Sequence, residues 1–348
     1  MTTTTGPGLA GVPLSLTPLN RKDFVSDQEV RWCPGCGDYA VLATFQGLMP
    51  QLGIRRENTV IVSGIGCSSR FPYYVDTYGM HSIHGRAPAI ATGIAMTRPD
   101  LAVWVVTGDG DALSIGGNHL VHALRRNVNI TIVLFNNRIY GLTKGQYSPT
   151  SEQGKVTKST PVGSVDRPFN PVSLALGAEA TFVARTVDSH RAHLTEVLSA
   201  AISHRGAALV EIYQNCPIFN DGAFDSLKGP DGGLIPLRHG EPVVFGPDNA
   251  RCVVRGPDGN LRIAYVEDVD PADVLVHDAH ADDPGLAFAL SRLTDTADLV
   301  TAPIGIFRDV ERPTYDDLAR DQLTVQTDPA ERIASLQKLI AGGDTWTV

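Results

Sequence analysis

Two groups of residues in this 348-residue sequence have the types and spacing to do chemistry. The first pairs an aspartate with an asparagine. Asp109 lies in the tetrapeptide GDGD directly after the apolar run LAVWVVT, and Asn137 is the second asparagine that ends NITIVLFNN. They stand 28 positions apart, about one helical crossover plus the next strand of a parallel sheet. Neighbouring strands would then present a carboxylate and an amide oxygen at one sheet edge. Mg²⁺ takes hard oxygen ligands, usually one or two from the protein, and fills its octahedron with phosphate oxygens and water. Gly108 and Gly110 leave the backbone bare, so a diphosphate can approach it closely. GDG alone is ordinary turn chemistry, but with an NN pair at this spacing it points to a metal–diphosphate site.

The second group is sulfur. Cys33 and Cys36 form CPGC, Cys67 lies in GIGCSS and Cys216 in QNCP. Five cysteines, an odd number with one CxxC, indicate metal or redox chemistry in a reducing compartment rather than a disulfide framework. Four thiolates hold either a [4Fe–4S] cluster or a zinc ion. Zinc ribbons usually bring two CxxC pairs, whereas Cys67 and Cys216 are single, yet on spacing alone both readings stay open. Cys252, in the strand-like ARCVVRG, reads as a small buried hydrophobe.

These residues need a scaffold. NTVIVSGIG, LAVWVVTGDGD and NITIVLFNN are β-branched runs that read as buried strands. Helical stretches lie between them (APAIATGIAMT, NHLVHALRRN), and PVSLALGAEATFVA, AHLTEVLSAAISH and AALVEIYQNCP continue the alternation. The expected fold class is α/β, a parallel sheet sandwiched by helices with ligands at the carboxyl ends of its strands. Residues 1–28 read as a flexible arm, 29–225 as the binding domain, and 226–348 as an extension packing on the core or a partner. The polar stretch from Ser148 to Asn170 reads as a mobile loop. PAERIASLQKLIAGG, with Pro first and Gly last, reads as a final helix. The composition, 43% hydrophobic and 19% charged, is ordinary for a globular protein, and a net charge of −9 argues against nucleic-acid binding. No apolar run is long enough for a membrane span and no secretory signal is evident, so the expectation is a cytoplasmic protein without a membrane role.

The segment VVTGDGDALSIGGNHLVHALRRNVNITIVLFNNRIYGLTKGQYSPT resembles the GDG…NN motif of thiamine-diphosphate enzymes. With CPGCGDY and GIGCSSR it resembles the β subunit of 2-oxoacid:ferredoxin oxidoreductases, and IYGLTKGQYSPT resembles their 2-oxoglutarate type. The resemblance runs from about Trp32 to Pro217 and resumes in the extension. It implies Mg²⁺ ligation by Asp109, Asn137 and the carbonyl of Ile139. Thiamine diphosphate would be contacted by Ile65, Gly66, Cys67, Ser68, His84, Gly110, Asp111, Gly141 and Leu142, with neutral His84 donating to a phosphate oxygen. It resolves the sulfur question toward a [4Fe–4S] cluster on Cys33, Cys36, Cys67 and Cys216. Arg70, where the family often has Lys, would face the substrate carboxylate, and Lys144 is a second cation for a distal carboxylate. His81, His119 and His122 remain packing or helix-surface residues.

The implied reaction is decarboxylation of a 2-oxoacid with thiamine diphosphate as electron sink. Electrons would pass singly through the cluster to ferredoxin and the acyl group to coenzyme A. Ylid formation in such enzymes needs a Glu from a second α/β domain, and only one such domain is legible here, so an α subunit carrying that Glu is expected. The same reaction on pyruvate or another 2-oxoacid is the alternative. Rival classes are a non-redox thiamine-diphosphate decarboxylase or synthase and a zinc-stabilised scaffold. A Rossmann dehydrogenase fits poorly, because GIGCSS lacks the third glycine of GxGxxG.

Overall fold

The apolar runs become strands buried on both sides. The structure, a computed structural model, describes residues 6–229, 232–294, 299–323, 328–343 and 346. Its first six strands are β1 (Thr59–Ser63), β2 (Tyr78–His81), β3 (Ala102–Gly108), β4 (Ile130–Asn136), β5 (Phe182–Val187) and β6 (Ala207–Tyr213). Seven helices accompany them: α1 (Asp38–Leu52), α2 (Phe71–Tyr74), α3 (Ala87–Thr97), α4 (Asp109–Leu113), α5 (Gly117–Arg125), α6 (Pro171–Gly177) and α7 (Arg191–Ser203). The C-terminal part adds β7 (Leu234–Leu237), β8 (Val244–Phe245), β9 (Arg251–Arg255), β10 (Leu261–Tyr265) and β11 (Ala302–Asp309). It also adds α8 (Gly285–Ser291), α9 (Tyr315–Asp321) and α10 (Pro329–Ala341).

One eight-stranded sheet runs in the order β2-β1-β3-β4-β6-β5-β11-β7, and every neighbouring pair is parallel except β11 against β5. Alternate side chains feed two cores, as the period of two requires. Val62, Val105, Ile132 and Leu209 face α3, α5, α6 and α8, while Ile61, Trp104, Val133 and Val210 face α1 and α7. Helix α3 offers Ala87, Ala91 and Ala95 to the sheet, a stripe of small residues at i, i+4 and i+8 that permits close packing. The expected α/β sandwich is the fold observed.

Three readings of the sequence change. The arm expected to be flexible is anchored over residues 6–28; residues 1–5 lie outside the described residues. Phe24 is fully buried in the α1/α7 core, Leu9 and Val12 join it, and bridges tie Leu14 to Ile54 and Val25 to Val75. Gly8 packs so tightly on α7's end that a Cβ would stand 2.1 Å from the carbonyl oxygen of His204. The C-terminal extension does more than pack on the core, since β11 and β7 complete the sheet, and β8, β9 and β10 form a separate antiparallel one. The polar stretch after Ser148 has no regular element, yet Ser148, Thr150, Ser151, Ser164 and Asn170 are buried. The final helix is α10, ending at Gly342 with φ of 65°, and Cys252 is buried as expected. Among the described residues no helix is long and apolar enough to cross a membrane.

If the arm is an anchored part of the core, Phe24→Ala will lower unfolding free energy by roughly 3–5 kcal/mol, the usual cost of deleting a buried Phe. Urea denaturation measures this, and a change below about 1 kcal/mol would return the arm to the flexible reading.

Candidate active site

Four adjacent strands end in the four unusual loops. β1 leads into Gly64–Ser68, β3 into Gly108–Asp111, β4 into Asn136–Gly141 and β6 into Gln214–Pro217. Because the sheet order is β1-β3-β4-β6, the Asp109 and Asn137 loops are side by side, with Cys67 flanking one side and Cys216 the other. Between them lies a cleft of about 600 Å³, partly open to solvent. Ile65, Gly66, Cys67 and Ser68 line it from the first loop; Asp109, Gly110 and Asp111 from the second; Asn137, Ile139, Gly141 and Leu142 from the third. His84 closes the set. All twelve residues expected at the metal–diphosphate site therefore border one cleft.

Asp109 opens α4 and is buried. Its Oδ2 accepts hydrogen bonds from the hydroxyls of Ser148 (2.5 Å) and Thr150 (2.6 Å). Burial pushes its carboxyl up to about 6, against the pull of those hydroxyls. The Oδ1 of Asn137 accepts from the backbone N–H of Ile139 at 3.2 Å, which still leaves a lone pair toward the cleft.

Asp111 ties loops together. Its Oδ1 accepts from the N–H of Ile65 (3.1 Å), the N–H of Gly85 (2.7 Å) and Nδ1 of His84, and its Oδ2 accepts from Thr107 Oγ1 (2.6 Å). His84 thus spends its Nδ1 proton on Asp111 and faces the cleft with Nε2. This corrects the expected neutral donor: in this geometry His84 offers a phosphate an N–H only as the imidazolium.

Bare backbone surrounds these groups. At Gly66, with φ of 143°, a Cβ would meet nothing within 4 Å, and at Gly108 the nearest atom would be Ser68 Oγ at 3.6 Å. Gly110 is fixed instead by Tyr140, whose hydroxyl donates to the Gly110 carbonyl at 2.9 Å and whose ring occupies the place of a side chain. Tyr140, Thr143, Phe135 and Gln214 also line the cleft and were missed in the sequence. Ser148 and Thr150 were missed too, although Pro at the second position of SPTS signals a turn.

The thiols approach from both flanks. A methyl group placed on Gly141 would touch Cys67 Sγ at 3.5 Å and Cys216 Sγ at 3.7 Å. Trp32 Nε1 donates to the Cys67 carbonyl at 2.7 Å, which docks the CPGC turn on the Cys67 loop, and Gln214 Nε2 donates to Cys36 Sγ at 3.2 Å. Asn220 links the Cys216 loop to the metal side: its N–H donates to the Cys216 carbonyl at 3.0 Å and its Nδ2 to the Asn137 carbonyl at 2.9 Å. Burial raises the Cys36 and Cys67 thiols, the latter to about 12, and the other cysteines and Asp38 raise them further. Among the described residues no three Cys, His, Asp or Glu side chains are grouped closely enough to hold a single metal ion.

Two candidates stand apart from the cleft. Arg70 lies beside Cys67 and donates to the Arg31 carbonyl at 2.9 Å, outside the lining. Lys144 sits exposed at the tip of the loop after Leu142, in a left-handed conformation (φ 75°). His81 ends the exposed edge strand β2, its Nδ1 2.9 Å from the Ser69 carbonyl.

Residues 64–212 match the family described as thiamine pyrophosphate enzyme, C-terminal TPP binding domain. A Mycobacterium tuberculosis protein, 2-oxoglutarate oxidoreductase subunit KorB, is 66% identical over 342 residues, 97% of this chain and 91% of that relative. The chain belongs to the β-subunit family of 2-oxoacid:ferredoxin oxidoreductases, 2-oxoglutarate type. A second relative, subunit beta of 2-oxoacid:ferredoxin oxidoreductase 1 of Aeropyrum pernix, is 47% identical over 190 residues, 55% of this chain and 60% of its own length. A solved structure, 2-oxoglutarate:ferredoxin oxidoreductase from Magnetococcus marinus with 2-oxoglutarate, coenzyme A and succinyl-CoA bound, superposes with a TM-score of 0.74 at 36% identity. That likeness covers 94% of this chain and 99% of that one. The family segment starts at the loop after β1 and runs through β3 and β4 to the end of β6, so it takes in the first three of the four loops that build the cleft.

Within this β-subunit fold the buried carboxyl of Asp38 stands out. Among the described residues neither of its oxygens accepts an N–H or O–H hydrogen bond, and burial, with the charge of Asp188 adding to it, pushes the carboxyl up to about 7 against the pull of the Cys36 thiol. An acid raised above its unfolded value stabilises the fold below that unfolded value, and the contribution disappears as pH rises through the folded one. The metal-free chain is expected to lose roughly 4 kcal/mol from this group between pH 4 and 7. Asp38→Asn should flatten that part of the curve of unfolding free energy against pH, and an unaltered curve in the variant would refute the assignment.

Proposed function

We propose that this chain is the β subunit of a CoA-dependent 2-oxoglutarate:ferredoxin oxidoreductase. 2-Oxoglutarate and coenzyme A become succinyl-CoA and CO₂, and two electrons leave one at a time through a [4Fe–4S] cluster to ferredoxin. The observation that carries this reading is the sheet order, which sets the Asp109 and Asn137 oxygens between the Cys67 and Cys216 loops.

The residues suit the groups the reading requires. Asp109, Asn137 and the Ile139 carbonyl are hard oxygen donors of the kind Mg²⁺ takes from proteins, with diphosphate and water to complete the shell. The open backbone at Gly66 and Gly108 is a cradle that side chains would fill. Thiamine diphosphate, when bound, supplies the electron sink for decarboxylation. His84, held by Asp111 through Nδ1, borders the cleft where a phosphate would sit. Cys36 and Cys67 are neutral thiols at pH 7 unless a metal centre draws off their protons. Structural zinc sites usually bring two CxxC pairs, whereas Cys67 and Cys216 come singly from the loops after β1 and β6, which favours a cluster held by Cys33, Cys36, Cys67 and Cys216.

Among the described residues lining the cleft there is no glutamate, which supports an α subunit that brings one and covers the open side. Lys144 and Arg70 are the cations available for substrate carboxylates, Lys144 with more support because its loop borders the cleft. Reduced thiols around such a cluster suit a cytoplasmic location.

Anaerobic co-purification with the α subunit tests the reading. The expected complex holds iron and acid-labile sulfide, absorbs near 400 nm, and reduces viologen with 2-oxoglutarate only when coenzyme A is present. Cys216→Ser should lose the iron and the viologen reduction while still binding thiamine diphosphate. Zinc in place of iron, or full-rate decarboxylation by this chain alone, would overturn it; a preference for pyruvate would move the substrate within the family.

A further inference from the structure

We propose that the turn Ser148-Pro149-Thr150-Ser151 is the positioning element of the metal site: two hydroxyls grip one oxygen of Asp109 and present the other to the ion. The inference rests on the reading of Asp109 as a Mg²⁺ ligand and adds what holds that ligand in place.

The turn is closed by the Ser151 N–H donating to the Ser148 carbonyl at 3.0 Å, with Pro149 at the position where its fixed φ suits a turn. Positions 148 and 150 then send their hydroxyls to the same oxygen, Asp109 Oδ2, at 2.5 and 2.6 Å. Hydrogen bonds to a carboxylate are short and strong, and both are buried. Among the described residues no side chain donates to Oδ1; the backbone N–H groups of Gly110 and Asp109 also hydrogen-bond the carboxyl, and a carboxylate oxygen that accepts one of them keeps a lone pair for an ion.

The turn itself is clamped. Arg138 Nε donates to the Thr150 carbonyl at 3.0 Å, and Ser151 Oγ donates to the Arg138 carbonyl at 2.6 Å. Thr150 Oγ1 also lies 2.9 Å from Asn136 Oδ1. Asn136 cannot turn its amide nitrogen toward Thr150, because that nitrogen donates to Glu211 Oε1 at 2.7 Å while Arg138 N–H donates to its oxygen at 3.1 Å. Glu211 is held in turn by Arg185 Nε at 2.6 Å, both side chains being fully buried on paired positions of β5 and β6. Thr150 has a single proton and three oxygens within reach, Asp109 Oδ2, Asn136 Oδ1 and, at 3.2 Å, Ser148 Oγ. The nearest, Asp109 Oδ2, receives it when that carboxyl is ionised, so Asp109 is oriented by a chain of fixed groups reaching back to Arg185. Ser148 is not among the residues lining the cleft and neither is Thr150. They act through Asp109.

Losing such a partner of a metal ligand typically weakens metal binding 10- to 100-fold. The test uses the complete complex with its partner subunit, saturated with thiamine diphosphate, and Mg²⁺ binding by equilibrium dialysis. Thr150→Val should raise the Mg²⁺ Kd about 10- to 100-fold with iron content unchanged, and Thr150→Ser, which keeps the hydroxyl, should stay within about threefold. Ser148→Ala gives a second measurement should Thr150→Val fail to assemble, with a rise of about tenfold expected. If both variants bind Mg²⁺ like the parent while Asp109→Asn does not, the turn is merely structural. If Asp109→Asn itself binds normally, the metal reading fails instead.

Discussion

The cleft depends on one buried carboxylate. Asp111 accepts from four donors on three segments: Thr107 at the end of β3, Ile65 after β1, and His84 with Gly85 before α3. Each hydrogen bond to a charged acceptor is worth about 1.5–3 kcal/mol, and a charge buried without such partners would not be tolerated. Its demand for space reaches further. A Cβ on Gly64 would stand 1.9 Å from Asp111 Oδ2, so that residue must be glycine for β1 to deliver its loop here. The backbone of Ile65 and Gly66, the imidazole of His84 and the start of α4 are therefore one rigid wall.

Opposite that wall the electrostatics are left unsettled. Among the described residues Asp38 accepts no N–H or O–H hydrogen bond, and the Cys36 and Cys67 thiols are driven upward by burial, by Asp38 and by the other cysteines. Negative charge there is unfavourable until positive charge arrives. A metal centre that takes thiolates releases their protons and turns its binding energy into folding energy. Trp32, Gln214 and Asn220 hold the three cysteine loops in register through their backbones and amides.

Much was legible in the residues. The runs at 59–63, 102–108, 130–136 and 207–213 are buried on both faces, and such strands read as unbroken apolar stretches with abrupt polar ends. The spacing of Asp109 and Asn137 anticipated adjacent strands, and β3 pairs with β4. Less legible was anything held by a single long-range contact. Phe24 looks like one aromatic residue in a polar arm, because its burial depends on a groove made by α1. Ser148 and Thr150 look like loop polarity, because their carboxylate lies about forty residues earlier in the chain. The strands β7 and β11 sit among Gly, Pro and Asp, and the sheet edge that recruits them is formed by β5.

Local chemistry was enough to determine which elements form, where they stop and which donors those stops carry, since strand periodicity, glycine and proline act over a few residues. Only the tertiary structure decided which oxygen of Asp109 is occupied, which nitrogen of His84 is free, and that four loops from four strands meet. Those outcomes depend on distances between segments far apart in the chain, where one proton or one Cβ settles the geometry.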